Sequence, residues 1–177
     1  MVSAEAAERF LSAPCLPGAD ATTRQEVLNV LVEQRLPAGA TLLDQNKRND
    51  RVWFLIDGCA HVFRTNPDGR FEDVATLNAP SVFGETSFFR ATAPIVSVKA
   101  HTDVLALTLD HDAHAILRRA DPRAAEQLAL AAVRVLAERF DLLDRRVSEY
   151  LTQHPNEPAR TDEWSSFRAR LFQESSL

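Results

Sequence analysis

The chain has 177 residues, 45% hydrophobic and 25% charged, and its 20 Lys and Arg against 25 Asp and Glu leave a net charge of -5. That length holds one core with accessory helices rather than two large domains, and the acidic balance argues against nucleic acid as the principal partner. No apolar run approaches the roughly 20 residues that cross a bilayer, and Met1-Val2-Ser3-Ala4-Glu5 lacks the segments of a signal peptide, so no membrane contact and a cytoplasmic location are expected.

Residues 3–12 and 22–35 read as helices, the second with Thr22 and Thr23 as N-caps, Val27, Leu28, Val30 and Leu31 on one face, and Leu36-Pro37 as its stop. This is an N-terminal helical segment, 1–35. From 36 to 110 the texture changes to short runs rich in Val, Phe, Leu and Thr, broken at Asn46–Asp50, Asp57-Gly58, Asn66-Pro67-Asp68-Gly69 and Asn78-Ala79-Pro80. Val52–Ile56 and Cys59–Thr65 are predicted strands, with a hairpin through Pro67-Asp68-Gly69. Turns at this spacing predict a sandwich or barrel.

Residues 111–153 return to helix, first over His111–Arg119 and then in a long helix opened by Asp121-Pro122. In the long helix Val133, Leu136, Phe140, Leu143, Val147 and Tyr150 form a heptad seam. Leu128, Val135 and Leu142 lie off it, so one stripe can pack on the β unit and the other on a twin helix; the alternative is that both are intramolecular core. A homodimer is expected. Residues 154–177 read as a linker and a short amphipathic tail. Trp164, Phe167 and Leu171 share one face, and segment 161–173 is a free end, a strap on its own chain or a peptide for a protein partner.

The run from Phe83 to Ala100, with Phe83-Gly84-Glu85 at its head and Val98-Lys99-Ala100 at its end, resembles the phosphate-binding cassette of cyclic nucleotide-binding domains. That is the family of protein kinase A regulatory subunits and the bacterial catabolite activator. The resemblance extends to Leu36–Leu42 as the first roll strand, Val52–Gly58, Thr102–Leu109 as the last roll strand, and the two helices that follow, together about residues 5–150. It implies an α+β fold: an antiparallel β jelly roll with cassette 83–100, N-terminal helices and a long C-terminal helix.

In such a cassette a short helix after a glycine offers backbone N–H groups to a cyclic phosphate. An arginine closes on the phosphate, and the glutamate accepts from the ribose hydroxyl. The resemblance implies ligand contacts at Phe83, Gly84, Glu85, Thr86, Arg90 and Ser97. The family's arginine, however, falls at Pro94, or at Ile95 after a one-residue shift. Loss of a charge-assisted hydrogen bond of about 1.5–3 kcal/mol lowers affinity by roughly tenfold to several hundredfold. Pro80 and Asn46 stand where the family has glycines, and Arg90 is the nearest substitute cation.

Metal and enzyme chemistry find little footing. His61, His101, His111, His114 and His154 contain no His-x-His, and no catalytic motif of the Gly-x-Ser-x-Gly, His-Glu-x-x-His or Gly-Lys-Ser type is present. Cys15 and Cys59 are expected to be free thiols. No catalytic residue, metal or cofactor is expected, and the 27 residues after Tyr150 are too few for a winged helix-turn-helix. The expectation is a non-enzymatic regulatory or adaptor protein acting through protein contacts, with cAMP and cGMP binding lost. The alternative is a sensor that binds a cyclic nucleotide through substitute contacts or takes another small molecule. An excess of Arg over Lys, 18 to 2, suggests a bacterial source.

Overall fold

The computed structural model describes residues 2–153. Two compact units divide the described residues, one ending at Arg134 and the other beginning at Val135. Helices α1 (Ala4–Ser12) and α2 (Ala21–Asn29) precede strands β1 (Val32–Leu36), β2 (Thr41–Leu43), β3 (Arg51–Asp57), β4 (Cys59–Thr65), β5 (Phe71–Asn78) and β6 (Ser81–Phe83). Then come α3 (Glu85–Arg90), β7 (Ser97–Ala100), β8 (Val104–Asp110), α4 (His111–Ala120) and α5 (Pro122–Gln153).

The strands form two antiparallel four-stranded sheets, ordered β1-β8-β3-β6 and β2-β7-β4-β5. Strands β3 and β8 sit centrally in the first sheet, which explains their nearly unbroken apolar sequence: each has a core on both faces. Val52, Phe54 and Ile56 pack with Leu105, Leu107 and Leu109 against α1, α2, α4 and the first turns of α5. The alternate residues Trp53, Leu55, Val104 and Ala106 fill the roll between the sheets with Leu42, Val62, Val98 and Ala100. This is the jelly roll expected of the family, with N-terminal helices and a long C-terminal helix around it.

Three local expectations are corrected. The second helix ends at Asn29, and its N-cap is Asp20, whose carboxylate accepts from the Thr23 N–H at 2.7 Å. Residues 32–36 are strand instead of helix, because β1 pairs in register with β8 from Val32↔Thr108 to Leu36↔Val104 and supplies a ladder partner that a helix would not. The segment 36–42 is not one strand. Leu36 closes β1 in one sheet, and Thr41 opens β2 in the other.

Asp57-Gly58 carries the chain from one sheet to the other rather than closing a hairpin. Gly58 has φ +83°, and a Cβ there would stand 2.3 Å from the Asp103 carbonyl oxygen. The β4–β5 pair is the expected hairpin, with a register irregularity at Val62/Phe63. Helix α4 is capped by Asp110, which accepts from the Ala113 N–H at 2.8 Å, and α5 opens with Asp121 accepting from the Ala124 N–H at 3.0 Å.

Within the first unit α5 buries Ala124, Ala125, Leu128 and Ala131. In the second, Phe140, Leu142, Leu143 and Tyr150 are exposed. The tail with Trp164, Phe167 and Leu171 lies outside the described residues. Among the described residues no helix is long and apolar enough to cross a membrane.

The two cysteines are free and unequal. Burial pushes the Cys15 thiol up to about 11, with Arg24 opposing the shift, while Cys59 is half-exposed. A thiol of that pKa carries almost no thiolate at pH 8. Titration of the native protein with a disulfide reagent should therefore give one rapid equivalent, abolished by Cys59→Ser, and a second only on unfolding; two rapid equivalents would contradict the burial of Cys15.

Candidate functional site

Phe83 ends β6 inside the roll, and the next residue turns the chain through the left-handed region. Gly84 has φ +82° and is the N-cap of α3. A Cβ on it would stand 2.8 Å from the Arg51 carbonyl oxygen and 3.1 Å from Asn49 Nδ2. Gly84→Ala therefore combines an unfavourable φ with a backbone collision. It should lower stability by about 2–3 kcal/mol, a Tm loss of roughly 5–10 °C at this chain length. A melt within a degree of wild type would show that the turn can relax.

The tightness of this turn has a partner that is remote in sequence. Asn49, in the β2–β3 loop, donates through Nδ2 to the carbonyls of Arg51 at 2.7 Å and Gly84 at 3.0 Å and to Ser87 Oγ at 2.9 Å. Ser87 Oγ in turn donates to the Gly84 carbonyl at 3.1 Å. The loop and the head of the cassette are thereby joined. Asn49 was not among the sequence-predicted residues, since a polar residue in a turn carries no local sign of a contact 35 positions away.

Glu85, at 1% exposure, is the one buried carboxylate or basic side chain among the described residues, and its Oε1 accepts from the Thr86 hydroxyl at 3.2 Å. Thr86 and Arg90 are exposed. Arg90 makes no hydrogen bond or ion pair with another described residue. Pro94 is buried, and its carbonyl accepts from the Asn46 N–H at 2.9 Å. Asn46 itself has φ +62°, the conformation for which the family uses glycine at this position. Ile95 is 74% exposed. Ser97 is buried on β7, where its hydroxyl accepts from the Gln45 N–H at 2.9 Å. The predicted residues thus fall into two groups, the Phe83–Thr86 head of α3 and the stretch around Pro94 and Ser97 tied to the β2–β3 loop, with Arg90 exposed at the far end of α3 outside both.

The far face of α3 meets the start of α4. Phe88, buried in the helix-side core, stacks on His111 with ring centroids 4.1 Å apart and 9° between planes, and meets His114 edge-on at 5.7 Å. Phe89 meets His114 at 5.8 Å. The His111/His114 spacing therefore serves aromatic packing. Among the described residues no group of three or more His, Cys, Asp or Glu is placed to hold a metal ion.

Burial holds His114 below the usual histidine value, and Arg118 and His111 add to the effect. The folded state then resists protonation more than the unfolded state. The stabilisation is full above about pH 6.5 and is lost as pH falls through the lower folded-state value. Tm should fall between pH 7 and pH 5, and His114→Gln should flatten that slope. An unchanged slope would place the responsible group elsewhere.

A β roll with a glycine-headed cassette helix and a helix running on from its last strand defines a class of ligand-responsive regulatory domain. The chain belongs to the cyclic nucleotide-binding domain family, whose model matches residues 33–121. It is 32% identical over 116 residues to a CRP-like cAMP-activated global transcriptional regulator of Mycobacterium tuberculosis, a match that covers 65% of this chain and 50% of that protein. The chain thus spans about half the length of the curated relatives it matches.

Among solved structures it resembles a cyclic nucleotide-binding domain from Methylobacillus flagellatus KT, with TM-score 0.72, 17% identity and coverage of 82% of this chain and 84% of that one. It also resembles the N-terminal domain of a transcriptional regulator from Streptomyces coelicolor A3(2), with TM-score 0.64, 26% identity and coverage of 75% and 95%.

Proposed function

We propose that this protein is a non-enzymatic regulator of the cyclic nucleotide-binding domain family that has lost cAMP and cGMP binding in the family manner and acts through protein contacts as a homodimer along α5. The observation that carries the reading is Pro94. The position that resembles the family's phosphate-binding arginine holds a buried side chain without charge or N–H donor, and its carbonyl is already engaged by Asn46. A cyclic phosphate there would lose its counter-charge. Protein contacts, rather than DNA, are proposed as the output because the chain is acidic.

The head of the cassette supports a second reading. Gly84 keeps its left-handed turn and Glu85 its buried carboxylate, so a sensor for another small molecule remains in view; Glu85→Ala should then abolish stabilisation by that ligand. Calorimetry on the wild-type protein separates the two. No heat of binding is expected with cAMP or cGMP at micromolar concentrations, and a micromolar Kd for either would overturn the first reading.

A further inference from the structure

The outer face of the second sheet carries a pair of imidazoles that neither the cassette nor the helices use. His61 lies on β4 between Ala60 and Val62, and His101 follows Ala100 at the end of β7. Ala60, Val62 and Ala100 pack inside the roll, so the alternate side chains of His61 and His101 stand on the outside of the sheet. Ala60 is opposite Ala100 and His61 opposite Lys99, which makes His101 the diagonal neighbour of His61 across the two strands. Their rings meet with centroids 4.4 Å apart and 57° between planes.

Three observations point to a metal ion. First, neither imidazole makes a side-chain hydrogen bond or ion pair with another described residue, whereas His111 and His114 are taken up by Phe88. Second, the backbone under both rings is fixed. The His101 N–H donates to the Cys59 carbonyl at 2.9 Å, the Cys59 N–H donates to Thr102 Oγ1 at 3.1 Å, and Ala60–Phe63 pair in register with Ser97–Ala100. The rings are therefore held together before any ion arrives, which lowers the ordering cost of chelation. Third, the spacing fits one ion. A metal–nitrogen bond of about 2.0–2.1 Å puts each ring centre about 3.2 Å from the ion, so two rings at neighbouring corners of a square or octahedron have centroids about 4.5 Å apart, against about 5.2 Å at a tetrahedral angle. The observed 4.4 Å matches the first arrangement. Rotation about χ2, which is soft in histidine, turns each ring nearly about its own centre and aims the nitrogens without altering that spacing.

We propose that His61 and His101 together chelate one divalent transition-metal ion of the nickel(II) or copper(II) class. Imidazole nitrogen suits these ions, and they favour the tetragonal geometry that two ligands at neighbouring corners begin. Mg²⁺ and Ca²⁺ take oxygen ligands and are excluded. The remaining corners are open to water on this exposed face. The ion bridges β4 and β7, whose other faces line the roll, so its binding adds to the stability of the fold by mass action. The thiol of Cys59, two residues before His61 on the same strand, is the nearest competing soft donor and is controlled for by substitution. The site shares no residue with the cassette and depends on neither reading of it.

The probe is Ni²⁺, titrated into the tag-free full chain at pH 8 and followed by calorimetry and by the histidine ring C–H resonances, which a paramagnetic ion broadens first at its ligands. One Ni²⁺ should bind per chain, and His61 and His101 should broaden before His111, His114 and His154. His61→Gln and His101→Gln should each weaken binding by about a hundredfold or more, the advantage of a second tethered ligand, and the double variant should be little weaker than either single one. The melting temperatures of the metal-free variants, expected to stay near that of wild type, separate a lost ligand from a lost fold. Cys59→Ser should bind Ni²⁺ as wild type does, and Mg²⁺ should give no heat. Lack of saturable Ni²⁺ binding at about a millimolar would overturn the proposal. So would binding lost in Cys59→Ser, broadening that begins at other histidines, or a folded His61→Gln protein that binds as tightly as wild type.

Discussion

With arginine in place of Pro94, cAMP and cGMP should raise the melting temperature of a protein that is otherwise indifferent to them, while adenosine and guanosine should do nothing. A charge-assisted contact to the phosphate restores about 1.5–3 kcal/mol of binding, a gain of roughly tenfold to 150-fold in affinity. Ligand at 100 times its Kd then stabilises the fold by about 2.7 kcal/mol, several degrees at this size. Pro94 is buried and Ile95 is 74% exposed, so Ile95→Arg is the second variant: it places the guanidinium one residue on without disturbing the packed proline. A cyclic-nucleotide shift in either variant, absent in wild type, supports a cassette that is intact except for its cation. A shift already present in wild type would show that another group serves the phosphate and end the loss-of-binding reading.

Phe140→Glu together with Leu143→Glu should convert the protein from a dimer to a monomer. The wild-type protein should elute at twice the 19.7 kDa chain mass. Along α5 Val133, Phe140 and Leu143 are 59%, 48% and 55% exposed, and Leu136 and Tyr150 also face solvent. Full burial of each such side chain is worth about 1.5–3 kcal/mol, which summed over two helices can exceed an association cost of ~4–15 kcal/mol. In a two-fold dimer each substitution acts twice, and like charges meet across the seam. The Kd should rise by at least about a hundredfold, or ~2.7 kcal/mol. The melting temperature extrapolated to low concentration should stay that of wild type, since among the described residues neither position belongs to a buried core cluster. A wild-type protein that elutes at the monomer mass at micromolar concentrations would end the homodimer reading.

The class of fold was legible in the chain itself. Strand β3 could be placed from Val52–Ile56 because a strand with a core on both faces is written as a continuous apolar run, whereas Thr102–Leu109 was placed by its resemblance to the family's last roll strand. The start of α5 was equally plain, because an N-cap aspartate followed by proline acts within its own turn. The head of the cassette was recognised by the resemblance of Phe83-Gly84-Glu85 to the family motif, and the structure adds that Gly84 makes a left-handed turn there. Pro94 needed no structure to be noticed, since its chemistry excludes the contact wherever it points.

What only the tertiary structure decided are the relations between distant segments. Val32–Leu36 carries a polar, weakly patterned sequence, and it is strand because the free edge of β8 is there to pair with it. Asp57-Gly58 looks like a hairpin turn, and it is a crossing between sheets because Cys59–Thr65 finds its neighbours in β5 and β7. Asn49 owes its role to Gly84, 35 residues on. Sequence patterns report the side of an element that meets the core and the turns that act on themselves. Ladder partners, clefts and unsatisfied donors arise only when remote backbone groups compete for one another, and that competition is settled by the assembled roll.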